Sequence, residues 1–305
     1  MPERRAGAAL VLVSLLGSPL VQAGDVAVLK STDAPAWRPA LETLRKGLTG
    51  QTVTEFDLRG DRNEADRVVA GLRSKPNVIL VAVGPLAAQA VREGAPETLL
   101  VYCMVQDPAK LGLLNNVNAS GVAYTTPVKN QLAAFRMVNP RAVRIGVIYG
   151  DEGSRFVQEA VKAAPVVRLA VSAKPIASER DVPQALRTLL AGTEAADAIW
   201  LPPDPLLLSD ETRRYLLSET LKAGKPIYSF SSALVTEGAL VSNGPDMPSI
   251  GEQVAELVTR LAAGDKTARG TQLIPRAELV VNKKIAEKLR LEIPADALKA
   301  ASRIY

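Results

Sequence analysis

VAVLKSTDAPAWRPAL (residues 26–41) and IGVIYGDEGSRFVQEA (residues 145–160) are two versions of one pattern: a short β-branched run, a polar loop, then a segment of helical period. Two further pairs follow in the same order. LVAVGPLAAQAV (80–91) matches AIWLPPDPLLLS (198–209), each an apolar run ending in a proline loop. LVYCMVQDP (100–108) matches PIYSFSS (226–232), each ending in a polar loop. Short continuous apolar runs separated by helical segments force parallel strands covered by helices on both faces. The doubled order, with no Pro, Gly or Ser-rich linker between its halves, predicts an α/β protein of two doubly wound parallel-sheet lobes joined by a hinge.

Outward from these segments, the first series of strands is expected at 26–29, 53–56, 78–83, 99–104 and 121–124, with helices at 36–48, 64–74 and 86–93 and a helical turn at 108–114. The second series is expected at 143–149, 166–171, 198–201, 227–230 and 239–241, with helices at 154–163, 180–191 and 210–223. The chain is expected to cross between lobes near 124–127, to return over 241–245, and to continue as a helix at 249–262. Lobe 1 is then 24–125 with 244–275, and lobe 2 is 126–243. Residues 276–305 read as a strand and a short helix that either lobe could take.

Composition narrows the chemistry. Among 305 residues there is no histidine and one cysteine, Cys103. That excludes a Ser-His-Asp triad, a Cys-His dyad, imidazole zinc sites, an internal disulfide and a thiolate metal cage. No metal and no cofactor are expected. Lys and Arg number 37 against 32 Asp and Glu, a mild excess scattered along expected helices, so no nucleic-acid partner is expected.

Arg4 and Arg5 precede an uncharged run over 6–24, and Val21-Gln22-Ala23 sets small residues where a signal peptidase reads. Residues 1–23 are therefore expected to be a cleaved signal peptide. A membrane anchor is the competing reading of that run, but Gly17, Ser18 and Pro19 interrupt its end. No cysteine follows it to carry a lipid, and no later apolar run reaches spanning length, so an exported soluble protein is expected.

In open parallel sheets, ligands bind outside the carboxyl ends of the strands. Seven of the few aromatic residues, Trp37, Tyr102, Tyr124, Tyr149, Trp200, Tyr228 and Phe230, fall in or beside those ends. Tyr102 and Phe230 read as core; Trp37, Tyr149 and Trp200 read as pocket walls that pair an apolar face with a polar edge. The same loops carry Ser31, Thr32, Asp33, Gln106, Asp107, Asp151, Glu152, Ser154, Asp204 and Ser231. Asp33, Ser154 and Asp210 read as helix N-caps. Uncovered helix N-termini favour a carboxylate and a cleft carboxylate such as Asp107 favours an amine, a combination that suits a zwitterion such as an amino acid. A carboxylate pair for glycoside hydrolysis could be drawn from Asp33, Asp107, Asp151 and Asp204, but no spacing selects one. No GxGxxG, Walker A, GxSxG or HExxH pattern occurs, and the chain is not expected to be an enzyme.

Several segments together resemble the substrate-binding proteins of bacterial ABC transporters, in the subgroup whose studied members take aromatic amino acids. They are residues 26–35, VAVGPLAAQA (81–90), VQDPAKLGL (105–113), RIGVIYG (144–150) and, most specifically, ELVVNKKIAEKLRLEIP (278–294). The resemblance implies a periplasmic binding protein of type I topology, monomeric, that closes on a small-molecule solute and delivers it to an ABC permease in the inner membrane. It implies ligand contacts at Ser31, Thr32, Gly84, Pro85, Leu86, Gln106, Asp107, Asp151, Ser154, Pro203, Asp204 and Ser231. Gly84 stands where the family usually offers a hydroxyl, and Pro202, Pro203 and Pro205 stand where Thr and Asn are usual. A soluble sensing partner of a membrane receptor would use the same cleft, and a secreted carboxylate-dependent hydrolase is the remaining alternative.

Overall fold

The computed structural model describes residues 25–192 and 195–305; the expected signal peptide lies outside the described residues. In chain order the elements are β1 (Val26–Lys30), α1 (Arg38–Gly47), β2 (Val53–Asp57), α2 (Arg62–Leu72), β3 (Ile79–Val83), α3 (Pro85–Gly94), β4 (Leu99–Cys103) and β5 (Ala119–Val122). Next come α4 (Val128–Val138), β6 (Arg144–Tyr149), α5 (Ser154–Ala163), β7 (Ala170–Pro175), α6 (Val182–Leu190), β8 (Ala198–Leu201), α7 (Asp210–Lys222), β9 (Ile227–Ser229), α8 (Ser232–Glu237) and β10 (Val241–Pro245). The chain then forms α9 (Met247–Ala262), β11 (Gly270–Gln272), β12 (Ala277–Val281), α10 (Lys283–Lys288), α11 (Ala295–Ala300) and β13 (Arg303–Ile304).

Two sheets result. The first runs β11-β5-β4-β3-β1-β2, parallel throughout; the second runs β13-β12-β10-β9-β8-β6-β7, parallel except where β12 meets β10. In each lobe the strand order reverses beside the first strand, β1 or β6, so a crevice opens outside the carboxyl ends of the strands. The duplicated sequence pattern is thus a duplicated topology. Residues 276–305 join the second sheet, through β12 and β13, while β11 adds an edge to the first.

Each sheet is buried on both faces, which is why its strands read as unbroken apolar runs. In lobe 1, Val26, Val28, Val81 and Val101 pack under α1 and α9, while Ala27, Leu29, Leu80 and Leu100 pack under α2 and α3. Lobe 2 repeats the division, with Ile145, Val147 and Trp200 on one face and Ile148, Ile199 and Leu201 on the other. Each large side chain so buried contributes about 1.5–3 kcal/mol. Helices α1 and α9 cross at very short range: Thr43 Oγ1 donates to the Pro248 carbonyl at 2.7 Å. An added Cβ on Gly251 would stand 2.0 Å from the Ala40 carbonyl oxygen.

Several boundaries differ from expectation. The second strand of lobe 2 begins at Ala170 rather than 166, because residues Ala164–Val167 make a short 3-10 turn and Arg168 adopts a left-handed conformation, φ 57°. β5 lies two residues earlier than expected, and β10 extends to Pro245. Helices α4 and α8 and strand β11 had no counterpart in the expectation. Nor do Asp33, Ser154 and Asp210 cap helices. Asp33 pairs with Arg38 at 3.2 Å, the Ser154 hydroxyl accepts from Gln158 at 3.3 Å, and the cap of α7 is Ser209, one residue before Asp210. The caps used are Asp61, Ser209, Ser231 and Asn282 on helices and Asp204 and Asp265 on 3-10 turns.

Cys103 closes β4 inside the lobe 1 core, and burial pushes its thiol up to about 12. Only the thiolate is nucleophilic. At pH 8 the folded protein is expected to leave an aromatic disulfide reagent unreacted, and to titrate one thiol once unfolded in urea; rapid labelling of folded protein would contradict this burial.

Candidate ligand-binding cleft

A cavity of about 540 Å³ lies between the lobes, walled by loops from both and by the segments that cross between them. Lobe 1 supplies Pro35, Ala36 and Pro39 after β1, and Gln106 after β4. Lobe 2 supplies Pro203 after β8 and Phe230, Ser231, Ser232 and Ala233 after β9. The first crossing contributes Tyr124, Thr125 and Thr126 and the return contributes Gly244, Pro245, Asp246, Met247 and Pro248. Several of these are prolines, whose missing N–H and fixed φ make a stiff, largely apolar wall. The charged residues on the wall are Asp246, Glu278 and Arg303. Asp246 pairs with Arg276 at 2.9 Å and Glu278 with Arg303 at 2.6 Å, so the surroundings are close to neutral.

Of the residues expected from sequence, Gln106, Pro203 and Ser231 line this cavity. The others are distributed elsewhere, each for a visible reason. Ser31 is buried, and its hydroxyl accepts from the Ala87 N–H at 3.0 Å, at the start of α3. Gly84 holds φ at +92°, and a Cβ there would come within 2.7 Å of both the Ser31 hydroxyl and the Trp37 ring. The glycine is therefore the condition for Trp37 to lie where it does, half-buried against the lobe 1 core beside Tyr124. Burial pushes the Tyr124 hydroxyl above the usual phenol range, and a hydrogen bond with Trp37 acts the other way. Thr32 and Pro85 are exposed, and Leu86 packs on the core beneath α3.

Asp107 is occupied within the protein. Its carboxylate accepts from the Lys110 N–H at 3.0 Å and faces Arg155 of the other lobe at 3.8 Å. Arg155 also donates to the Gln106 carbonyl at 2.9 Å, and Lys110 pairs with Glu152. These bonds clasp the lobes along one rim of the cleft. Because they are solvent-exposed, each is worth no more than about 1 kcal/mol.

Asp151 and Asp204 line a second recess of about 560 Å³, with Pro175, Ile176 and Leu206, outside the carboxyl ends of β6, β7 and β8. Asp204, 1% exposed, accepts from the backbone N–H groups of Gly150 at 2.7 Å, Gly153 at 2.9 Å and Leu206 at 3.0 Å. It ties the loop after β6 to the loop after β8, and its oxygens are spent on that task. A Cβ on Gly153 would stand 2.4 Å from the same carboxylate and one on Gly150 would stand 2.7 Å from the Leu206 side chain, which explains the glycines of YGDEG. Ser154 sits at the start of α5 and Tyr149 packs half-buried on the lobe 2 core. Trp200 lies fully inside that core, its ring directed sideways by strand alternation and not toward the carboxyl end of β8. Phe230, read as core, packs half-buried against the lobe 2 core and also walls the cavity.

The sequence reading missed the crossing segments. The sequence places them near 124–127 and 241–245, but a rule that puts ligands at strand-end loops gives them no ligand role. The signal was present: both crossings must pass behind the cleft, and their Tyr, Thr and Pro residues are the kinds that wall a pocket. Among the described residues, no group of three acidic or thiol side chains could hold a metal ion, and no helix is long and apolar enough to cross a membrane.

The profile of the family described as ABC transporter substrate binding protein matches residues 25–304. Comparison with curated sequences gives no match. Among solved structures, an ABC domain in complex with L-Trp from Streptococcus pneumoniae is 23% identical, with a TM-score of 0.69 over 92% of this chain and 100% of that one. A ligand-free, open substrate binding protein with adhesive properties from Clostridium difficile is 18% identical, with a TM-score of 0.80 over 92% of this chain and 98% of that one. A solute binding protein from Burkholderia graminis in complex with D-arabinose is more distant, 9% identical, with a TM-score of 0.52 over 85% of this chain and 95% of that one. The fold is that of type I periplasmic binding proteins. The chain, matched by the profile over nearly all its described length, belongs to the ABC transporter substrate binding protein family.

Proposed function

We propose that this protein is the solute receptor of an ABC importer, exported to the periplasm by its first 23 residues and acting there as a monomer. It captures a small organic solute between its lobes, closes about the hinge, and presents the closed form to a membrane permease. The observation that carries this reading is the cavity of about 540 Å³ walled at once by lobe 1, lobe 2 and both crossings. A solute touching all of them binds the closed arrangement better than the open one, and that difference is what drives closure. The volume and the proline-rich wall suit an apolar body of the size of an aromatic or branched amino acid or a close relative of one.

The reading is tested by a thermal-shift screen, on protein unfolded and refolded to strip carried-over ligand, against amino acids, their derivatives, nucleobases and small carboxylates. A true ligand at a hundred times its dissociation constant is expected to stabilise the fold by about 2.7 kcal/mol. Mass spectrometry of protein as purified would identify a retained solute directly. Absence of any stabilising compound across the screen would count against a receptor function.

A further inference from the structure

We propose that Arg155 of lobe 2, with the neighbouring Lys110–Glu152 pair, is a salt-sensitive latch: it positions the cavity wall of lobe 1 and weights the protein toward the arrangement in which the lobes meet. The inference rests on the receptor reading above and adds to it a device, outside the cavity, that sets how readily the lobes part. Its members come from two facing loops. Gln106, Asp107 and Lys110 follow β4 in lobe 1, while Glu152 and Arg155 follow β6 in lobe 2. Arg155 Nη2 donates to the Gln106 carbonyl at 2.9 Å, and its Nε faces the Asp107 carboxylate at 3.8 Å. Lys110 Nζ donates to Glu152. Gln106 itself lines the cavity, so an arginine of one lobe holds a wall segment of the other.

Each side is placed by its own lobe. The Arg155 guanidinium lies 4.6 Å from the centroid of the Phe156 ring, which is buried in lobe 2, and a cation over an aromatic face is attracted to it. Asp107 is fixed in turn by the Lys110 N–H of its own loop, at 3.0 Å. What changes as the lobes part is therefore the contact between the two sides. The chain passes between the sheets after β5, after β10 and between β11 and β12. In the lobe 2 sheet β9 and β8 separate β10 from β6, so the loop after β6 stands off that connection. A rotation that opens the cleft carries Glu152 and Arg155 away from the β4 loop, and the three contacts are lost together. The four charged side chains are 33–62% exposed, so dissolved ions reach them and weaken the attraction.

The test uses the exported protein with no solute added. Asn63→Cys, in α2, and Arg180→Cys, after β7, put spin labels on exposed positions of the two lobes, while the buried Cys103 stays unlabelled. Pulsed electron resonance then reads the distance between lobes. From 0.01 M to 1 M NaCl the Debye length falls from about 30 Å to about 3 Å, and the ratio of short to long distances is expected to fall about fivefold. Glu152→Gln combined with Arg155→Gln is expected to show the low ratio at both salt concentrations. Glu152→Lys alone is expected to lower the ratio at 0.01 M NaCl and the added Lys110→Glu to restore it, a rescue that simple loss of local structure would not allow. The salt comparison needs no charge variant, so it decides alone should one fail to fold. A ratio that salt leaves unchanged or raises, or a charge swap that restores nothing, overturns the latch and leaves the receptor reading to its thermal-shift screen. An empty screen beside a salt-dependent distance would instead sink the receptor reading and keep the latch.

Discussion

Gly251→Ala is expected to lower the stability of the protein by about 3 kcal/mol or more, read as a fall in the urea midpoint at unchanged slope. The sign is not obvious in advance, because glycine to alanine inside an exposed helix stabilises by about 1 kcal/mol. Here the geometry decides against that gain. The new methyl would lie 2.0 Å from the Ala40 carbonyl oxygen and 2.2 Å from Thr43 Oγ1, and the first of these is main chain that cannot rotate away. Gly47 on α1 meets Ala255 on α9 in the same manner, at 2.5 Å for an added Cβ, so the two helices have no slack along their crossing. The start of α9 also carries Met247 and Pro248 of the cavity wall. Solute binding should therefore weaken along with stability. A variant within about 1 kcal/mol of the parent would show that the helices are farther apart than described.

Asp204→Ala is expected to cost about 3–5 kcal/mol and to disorder the loops after β6 and β8, visible as loss of near-ultraviolet dichroism from Tyr149 and Trp200. Two buried N–H groups, on Gly150 and Gly153, and a part-buried one on Leu206 lose their acceptor together. Each orphaned donor costs about 1–3 kcal/mol, but the sum is partly offset because a buried carboxylate is itself expensive to desolvate. Asp204→Asn should fall between, since one side-chain oxygen remains to serve the two glycines while its NH₂ opposes the Leu206 N–H. Equal stability of Asp204→Ala and the parent would mean that these loops are held by something else. A variant that folds normally but no longer binds solute would return Asp204 to the ligand-contact role that the family resemblance implied.

The fold was legible because its determinants are local and doubled. Strands such as IGVIYG are apolar at every position only when helices cover both faces of a sheet, and the ordered recurrence of three strand-and-loop pairs left little choice of topology. Boundaries slipped where an apolar pair could serve two purposes. Val166 and Val167 have strand-like side chains, yet register with β6 begins at Ala170, and Val166 is exposed. Helix α4 went unread because its entry through Thr126 and Pro127 looked like hinge alone. The candidate site was less legible than the fold, for a physical reason. Polar residues after strands serve equally as anchors between loops and as ligand contacts, and only coordinates distinguish them. Ser31, Asp107 and Asp204 are spent on backbone N–H groups, while Ser232 and Ala233, at the start of a helix with no motif about it, line the cavity.

Neither sheet is finished by the part of the chain that starts it. Lobe 1 waits for α9 to cover α1 and for β11 to close its edge, and lobe 2 waits for β12 and β13. All of these lie within residues 247–304. A growing chain therefore cannot cover the second face of either sheet before nearly its whole length is available, and contacts of such long sequence separation form slowly. Delay of that kind keeps the polypeptide open, which is the state that the export proposed above would need, and leaves both halves to become rigid together at the end.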